Sequence, residues 1–411
     1  MTEPTATATE PTADLDPRFA SLAGLIGPAE VAGFLRHGLG KAAVRARLAP
    51  AAAREFFDWP RLNAALAEHR LAPPRLRLER GGADVTRGIF RSRRTRRGTV
   101  LQDLDPAALT AGLREGATLI VDAVNEISPP LQRLCAGLAA EFTASSQANL
   151  YACWGVAQGF DVHWDDHDVF VVQVEGRKRW ALYGPTKAAP TRRGPAADAP
   201  VPEAEPELIV LEPGDVLYLP RGHWHAAVGV GGPTLHLTIG LTRKTGGDLV
   251  QWLADEVLAE EIGRADLPFE AGDAAVAERL ANLLAGLAAR DPQALARRYR
   301  RHLEATAPQR PVLSFPHIGE ARLPLDAAFA LEPGAARLRQ TDAGLVLSWR
   351  GVEFTLSPAL EAAVRRMLAG EAVPLDDFHR AAPEASEAQL HGFLREMVRR
   401  GAFVVSPDDA S

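Results

Sequence analysis

The densest chemistry in the 411-residue chain lies in Gly159-Phe-Asp-Val-His163-Trp-Asp165-Asp-His167-Asp-Val-Phe-Val171. His163 and Asp165 stand two apart. On a strand that spacing puts an imidazole and a carboxylate on one face, about 6.5 to 7 Å apart, where both can close on one metal ion. A second run, Pro213-Gly-Asp-Val-Leu-Tyr-Leu-Pro220-Arg-Gly222-His223-Trp-His225, reads as turn, strand and turn. It delivers another histidine, and His225 comes 62 residues after His163. Two imidazoles and one carboxylate on one side of an ion, with the other side open, is the ligand set of non-haem Fe(II) oxygenases. A structural site would close the shell. If their segments are extended, His223 and His225 share a face, so spacing alone leaves the choice between them open.

Lysine is rare here. It occurs only at Lys41, Lys178, Lys187 and Lys244, against 42 arginines. In Arg177-Lys178-Arg179-Trp180, strand alternation sends the two arginines one way and Lys178 with Trp180 the other. A lysine on an inward face needs an acidic partner.

The elements that must position these residues lie between Asn149 and Leu241. Short apolar runs follow one another there: 149–154, 169–174, 179–183, 208–211, 215–219, 226–230 and 235–241. Seven short strands separated by Gly and Pro predict an antiparallel sandwich or barrel. The Pro- and Ala-rich insert 185–206 reads as a surface loop. Upstream, the pattern predicts helices from Pro28 and over 51–71, a strand over 75–79, and a helix capped by Asp105 that runs to about Arg114. A strand over 117–121 and a helix over 130–142 follow. Arg87 to Arg97 holds six arginines and reads as a loop or ragged hairpin. Downstream, helices are expected over 248–262, 274–289 and 292–304. After them come β-rich residues 345–356, more helix, and a last strand over 402–405.

Several quoted stretches resemble the JmjC-type ribosomal oxygenases, cupin-fold protein hydroxylases that use Fe(II) and 2-oxoglutarate. They are Asn149-Leu-Tyr, Gln158-Gly-Phe-Asp-Val-His163-Trp-Asp165-Asp, Val172-Gln-Val-Glu-Gly-Arg-Lys178-Arg-Trp180 and Pro220-Arg-Gly-His-Trp-His225. The likeness is dense over residues 145–245. Residues 1–16 read as a disordered leader by composition, and the likeness implies a mixed α and β chain with a double-stranded β-helix (cupin/JmjC) barrel domain over 17–245. A helical dimerisation segment over 246–308 and a winged-helix domain over 309–406 follow. It implies His163, Asp165 and His225 as iron ligands, with 2-oxoglutarate and dioxygen as co-substrates. It also implies Lys178 as the cation for the far carboxylate of 2-oxoglutarate, Asn149 as a polar co-substrate contact, and His236 as a histidine near the site. The expected substrate is a protein, a ribosomal one, hydroxylated on histidine or arginine, with the Asn149-Leu-Tyr stretch leaning to histidine. A precursor peptide of a biosynthetic pathway is the alternative substrate. The chain departs from the family pattern in three places: Gly240 stands where relatives often carry a serine, Asp168 where a glutamate is usual, and residues 36–42 lack a Trp and Lys-Pro signature.

Composition sets the surroundings. A net charge of −6 offers no global attraction to nucleic acid or anionic membrane. No apolar run reaches the length needed to span a bilayer, and residues 1–14 lack a secretory pattern. With only Cys135 and Cys153, a disulfide framework is not expected, and the chain reads as cytoplasmic. A cupin with a winged helix also suggests a ligand-sensing regulator. Against this, residues 351–411 carry six basic and ten acidic side chains, a poor balance for binding phosphates. The apolar stripe Leu280, Leu283, Leu284 and Leu287 reads as intramolecular core by itself, and as a dimer interface by the resemblance.

Overall fold

The computed structural model describes residues 21–156, 159–192, 200–307, 313–315, 327–331, 336–341 and 344–406. The expected leader, Gln158 and part of the 185–206 insert lie outside these. The chain divides into two compact units, with the main boundary between Thr242 and Arg243; the short piece Phe142–Ser145 groups with the second unit.

The first unit holds thirteen strands among its described residues: β1 (Val44–Arg47), β2 (Leu76–Arg80), β3 (Ala83–Asp84), β4 (Phe90–Arg94), β5 (Val100–Leu104), β6 (Thr118–Val121), β7 (Ser145–Trp154), β8 (Asp168–Glu175), β9 (Lys178–Pro185), β10 (Glu207–Leu211), β11 (Asp215–Leu219), β12 (His223–Gly229) and β13 (Pro233–Thr242). Eight of them form one sheet in the order β1-β11-β8-β13-β7-β6-β2-β3, and β10-β9-β12 form a second. This is a double-stranded β-helix core of the cupin type. The sheets meet through Val169, Val171, Leu217 and Leu219 of the large sheet and Trp180, Ile209 and Leu211 of the small one. β4 and β5 pair separately as a hairpin.

Side-chain alternation explains which face does what. Along β13, Leu235, Leu237, Ile239 and Leu241 are fully buried on one face, while His236, Thr238 and Gly240 fall on the other. Each buried aliphatic side chain contributes roughly 1.5 to 3 kcal/mol, so register slippage, which would expose all four, is strongly opposed. β8 is buried along almost its whole length because both its faces are covered, and it therefore reads as an unbroken apolar run. The large sheet also recruits β1, β2 and β6 from before the seven expected strands. The four-residue β1, Val-Arg-Ala-Arg, is too short and charged to stand out in the sequence.

The Asp105 cap is present, with its carboxylate accepting from the Ala107 and Ala108 amides at the start of helix Pro106–Arg114. Helix Pro129–Phe142 buries Leu131, Leu134, Cys135 and Leu138, the spacing of one helical stripe.

In the second unit, helices Gly246–Leu258, Glu261–Arg264, Asp273–Ala288 and Pro292–Thr306 come first. Thr245 and Asp248 form a reciprocal capping box at the first of these. Leu280 and Leu284 are more than half exposed, so this stripe is not the intramolecular core that its spacing by itself suggests. A helix with one apolar face hides it only where a neighbour lies against it. Strands β14 (Ala328–Leu331), β15 (Ala336–Thr341), β16 (Gly344–Trp349), β17 (Val352–Leu356), β18 (Val373–Pro374) and β19 (Phe403–Ser406) form two three-stranded sheets, β18-β14-β19 and β15-β16-β17. Helices Glu361–Leu368, Leu375–Ala381 and Glu387–Arg399 pack with them around Phe329, Leu347, Val364, Phe378 and Leu394.

Candidate metal centre

His163 does not lie on a regular strand. It sits in the connection from β7 to β8 and is held by one antiparallel bridge to His225, near the start of β12. The two residues exchange backbone hydrogen bonds, His163 N to His225 O at 3.1 Å and His225 N to His163 O at 2.8 Å. Directly opposed residues of an antiparallel pair project side by side, and the ring centroids lie 4.5 Å apart. A bridge between two chain segments brings the first imidazole to the second. Asp165 follows on the same connection, anchored where Gly222 N donates to its carbonyl at 3.0 Å.

One donor atom from each of His163, Asp165 and His225 falls within 4.8 Å of the others, and they form the one such cluster found among the described residues. Asp165 Oδ1 lies 4.0 Å from His163 Nε2, and Oδ2 lies 3.6 Å from His225 Nε2. Neighbouring donors on an octahedral ion at about 2.1 Å stand about 3 Å apart, so a contraction of about 1 Å would close the set. The tautomers suit this. His163 Nδ1 donates to Asp161 O at 2.8 Å and His225 Nδ1 to His223 O at 2.9 Å. A carbonyl only accepts, so Nδ1 carries the hydrogen and each Nε2 presents its lone pair. Burial, opposed by Asp165, also holds the His225 pKa below its ordinary value and favours the neutral ligand form. His223 is set apart from His225 by a register shift between Trp224 and His225, and it is not in the cluster.

Lys178 opens β9 and is almost fully buried. Burial pushes its pKa down, and the neighbour that favours its charge is the Cys153 thiol. No carboxylate is in ion-pair range of its ammonium among the described residues. Near it lie two buried polar atoms without a hydrogen-bond partner among the described residues, His236 Nδ1 and Trp180 Nε1. The His236 ring stacks on Tyr151 at 4.9 Å and meets Trp180 edge-on at 5.7 Å. Burial, with Lys178 adding to it, takes its pKa well below the usual range. Trp180 also flanks His225 at 5.8 Å. Burial and the Asp165 charge push the Tyr151 hydroxyl up to about 12. A buried ammonium with unpaired polar atoms around it fits an anionic ligand carrying several acceptor oxygens.

Asn149 shares the face of β7 that carries Tyr151 and Cys153. Its Oδ1 accepts from Ala123 N at 2.9 Å and Gln147 Nε2 at 2.8 Å, which leaves the amide nitrogen as its donor. Sequence reading gave no role to His167. A Cβ placed on Gly240 would meet the His167 ring at 2.7 and 2.8 Å, so His167 occupies the space that a side chain at 240 would fill. The only sequence signal was an unexplained glycine inside a strand.

Residues 124–249 match the family model of the JmjC domain. A fruit-fly protein (Drosophila persimilis) named bifunctional lysine-specific demethylase and histidyl-hydroxylase NO66 is 37% identical over 124 residues, which are 30% of this chain and 18% of that one. Ribosomal oxygenase 1 of Rattus norvegicus is 35% identical over 158 residues, 36% of this chain and 25% of the relative. The chain thus spans about a quarter or less of these two relatives. Among solved structures, Escherichia coli ycfD superposes with a TM-score of 0.57 at 18% identity, covering 92% of this chain and 98% of its own. The same ribosomal oxygenase in complex with cobalt and 2-oxoglutarate superposes with a TM-score of 0.55 at 18% identity over the same shares. At that identity the likeness shows the fold.

Proposed function

From a JmjC domain similar to those of ribosomal oxygenases, we propose that this chain is an Fe(II)- and 2-oxoglutarate-dependent oxygenase that hydroxylates a protein side chain. The observation that carries this reading is the pairing of a three-donor cluster with a buried Lys178 that meets no carboxylate among the described residues. His163, Asp165 and His225 would hold the iron. Lys178 would bind and orient the far carboxylate of 2-oxoglutarate, with Asn149 and His236 as further polar contacts. Trp180 and Tyr151 would wall the site from water. When bound, iron and 2-oxoglutarate supply the oxidising power that, with dioxygen, places a hydroxyl on an unactivated C–H bond. The chain's own contribution is to hold both imidazoles neutral through their Nδ1–H contacts and to fix the co-substrate's orientation.

The substrate in this reading is a ribosomal protein, which places the work in the cytoplasm. The name histidyl-hydroxylase, which the fruit-fly relative carries, supports histidine as the target. We read the second unit as a helical dimerisation segment, supported by the exposed Leu280 and Leu284, followed by a winged-helix-like domain that binds protein rather than DNA. The test is mass spectrometry of ribosomal proteins incubated with the protein and iron. A one-oxygen mass gain that requires 2-oxoglutarate supports the reading. Its absence from every ribosomal protein, alongside modification of a biosynthetic precursor peptide, would move the substrate to the alternative class.

A further inference from the structure

We propose that the arginine hairpin β4–β5 is a docking surface for the phosphate backbone of structured RNA, tied through the β2–β3 turn to the segment that carries the metal cluster so that an RNA-bound protein reaches it. Only the last clause rests on the hydroxylase reading.

The hairpin pairs Phe90 with Leu104 through Arg94 with Val100 and joins no other sheet among the described residues. Its ends are fixed. Asp105 N donates to Ile89 O at 2.8 Å at the base, and Thr95 N donates to Thr99 O at 2.8 Å at the turn. Ile89 and Thr86 are buried and anchor the root. That root leads back through β3 to Gly82, whose amide donates to Gly159 O at 3.1 Å. The next residues of that segment include Asp161, whose carbonyl accepts from the candidate ligand His163. A Cβ on Gly82 would meet Asp161 Oδ2 at 2.9 Å, so the β2–β3 turn, from which the chain runs on to the hairpin root, packs on the segment that carries the metal cluster.

Charge on the hairpin runs against that of the chain, whose net is −6. Arg91 pairs with Asp105 and Arg93 with Asp103. Arg94 donates to the neutral carbonyl of Gly98 at 3.2 Å. Arg96 and Arg97 are exposed, and neither they nor Arg94 meet a carboxylate among the described residues. Three uncompensated guanidinium groups therefore crowd one turn.

The partner's chemistry follows from what the hairpin lacks. Its one large apolar side chain that is more than half exposed is Val100, at 52%. Protein interfaces draw their affinity from buried aromatic and aliphatic anchors, and one valine does not supply that. Attraction from charge alone needs a dense line of anions, which a nucleic-acid backbone provides and to which planar guanidinium forks are matched. No aromatic ring lies among 91–100 to stack on bases, so the contact reads phosphates and not sequence.

The experiment is fluorescence anisotropy of the full chain with a labelled RNA stem-loop across a salt series, beside a labelled polyglutamate peptide. The comparison protein is the triple variant Arg94→Ser, Arg96→Ser, Arg97→Ser. We expect the wild type to bind the stem-loop, and the variant to lose tenfold or more in affinity, with the slope of log K against log salt reduced by about 2 to 3. The variant should keep the wild-type melting temperature. Equal RNA affinity in the two proteins, no binding at the lowest salt, or a preference for polyglutamate would each overturn the proposal. Binding is read without turnover, so absence of 2-oxoglutarate-dependent activity would count against the hydroxylase reading and leave this result standing.

Discussion

Lys178→Met should move co-substrate affinity and protein stability in opposite directions. The side chain is buried, its pKa is lowered by that burial, and no carboxylate compensates it among the described residues. In the proposed complex the far carboxylate of 2-oxoglutarate becomes its partner. Removing one member of a buried pair costs about 3 to 5 kcal/mol, a rise in Kd of about 100- to 4,000-fold. Without co-substrate the sign reverses, because methionine removes a buried group that pays for desolvation with nothing in return. A lysine whose folded pKa lies below its ordinary value of 10.5 makes the unfolded state bind more protons between the two values. Wild-type stability therefore rises with pH through that window, and the variant should lose this slope. Calorimetry of 2-oxoglutarate binding to the manganese-loaded protein reads the first effect, and thermal melts of the apoprotein across pH read the second. At 100 times Kd the co-substrate stabilises the wild type by about 2.7 kcal/mol, a shift the variant should not show. A variant that binds within tenfold of wild type would show that Lys178 does not pair with the co-substrate, and an apo form that melts at a lower temperature would show that its burial carries no net cost.

Asp165→Ala removes the carboxylate that lies 4.0 and 3.6 Å from the two imidazoles. Cobalt titration followed by visible absorption should show affinity falling by more than about 100-fold, beyond what loss of an outer-shell partner causes. Gly240→Ser forces a Cβ to 2.7 Å from the His167 ring and should cost about 1 to 3 kcal/mol in urea unfolding. Adding His167→Ala to Gly240→Ser should recover most of that loss, whereas additive losses would mean that the two sites do not share the space. Gly176 has a φ of +65°, and a Cβ there would meet Pro233 O at 2.1 Å. Gly176→Ala should therefore lose about 3 kcal/mol or more, read as a lower urea midpoint with an unchanged slope.

The β-rich core was legible because its strands advertise themselves twice, by apolar runs such as Val169–Val174 and by the glycines and prolines between them. The Asp105 cap and the helix after it were equally plain, since a side-chain acceptor before Pro106 is a local signal. The Lys178 and Trp180 alternation emerged as read, with Arg179 exposed between two buried side chains. β1 was not legible, because four residues of alternating Arg carry too little pattern. The strand setting assumed for His163 and Asp165 was wrong for a related reason: only one residue of that connection pairs, and its partner is His225, far along the chain. Leu280 and Leu284 show the same limit from the other side, since helical spacing marks an apolar face without saying what covers it.

Residue types and their spacing settled which chemistry was available: two neutral-capable nitrogen donors, one carboxylate, one rare lysine, and strands able to bury an apolar face. Those follow from residue type and short-range periodicity, which need no knowledge of distant neighbours. It took the folded chain to show that His163 faces His225 across a single bridge, that Lys178 has no acid beside it among the described residues, and that His167 fills the space above Gly240. Each of these depends on which remote segment lies alongside, and that is set by closure of the two sheets over a shared core rather than by any local preference.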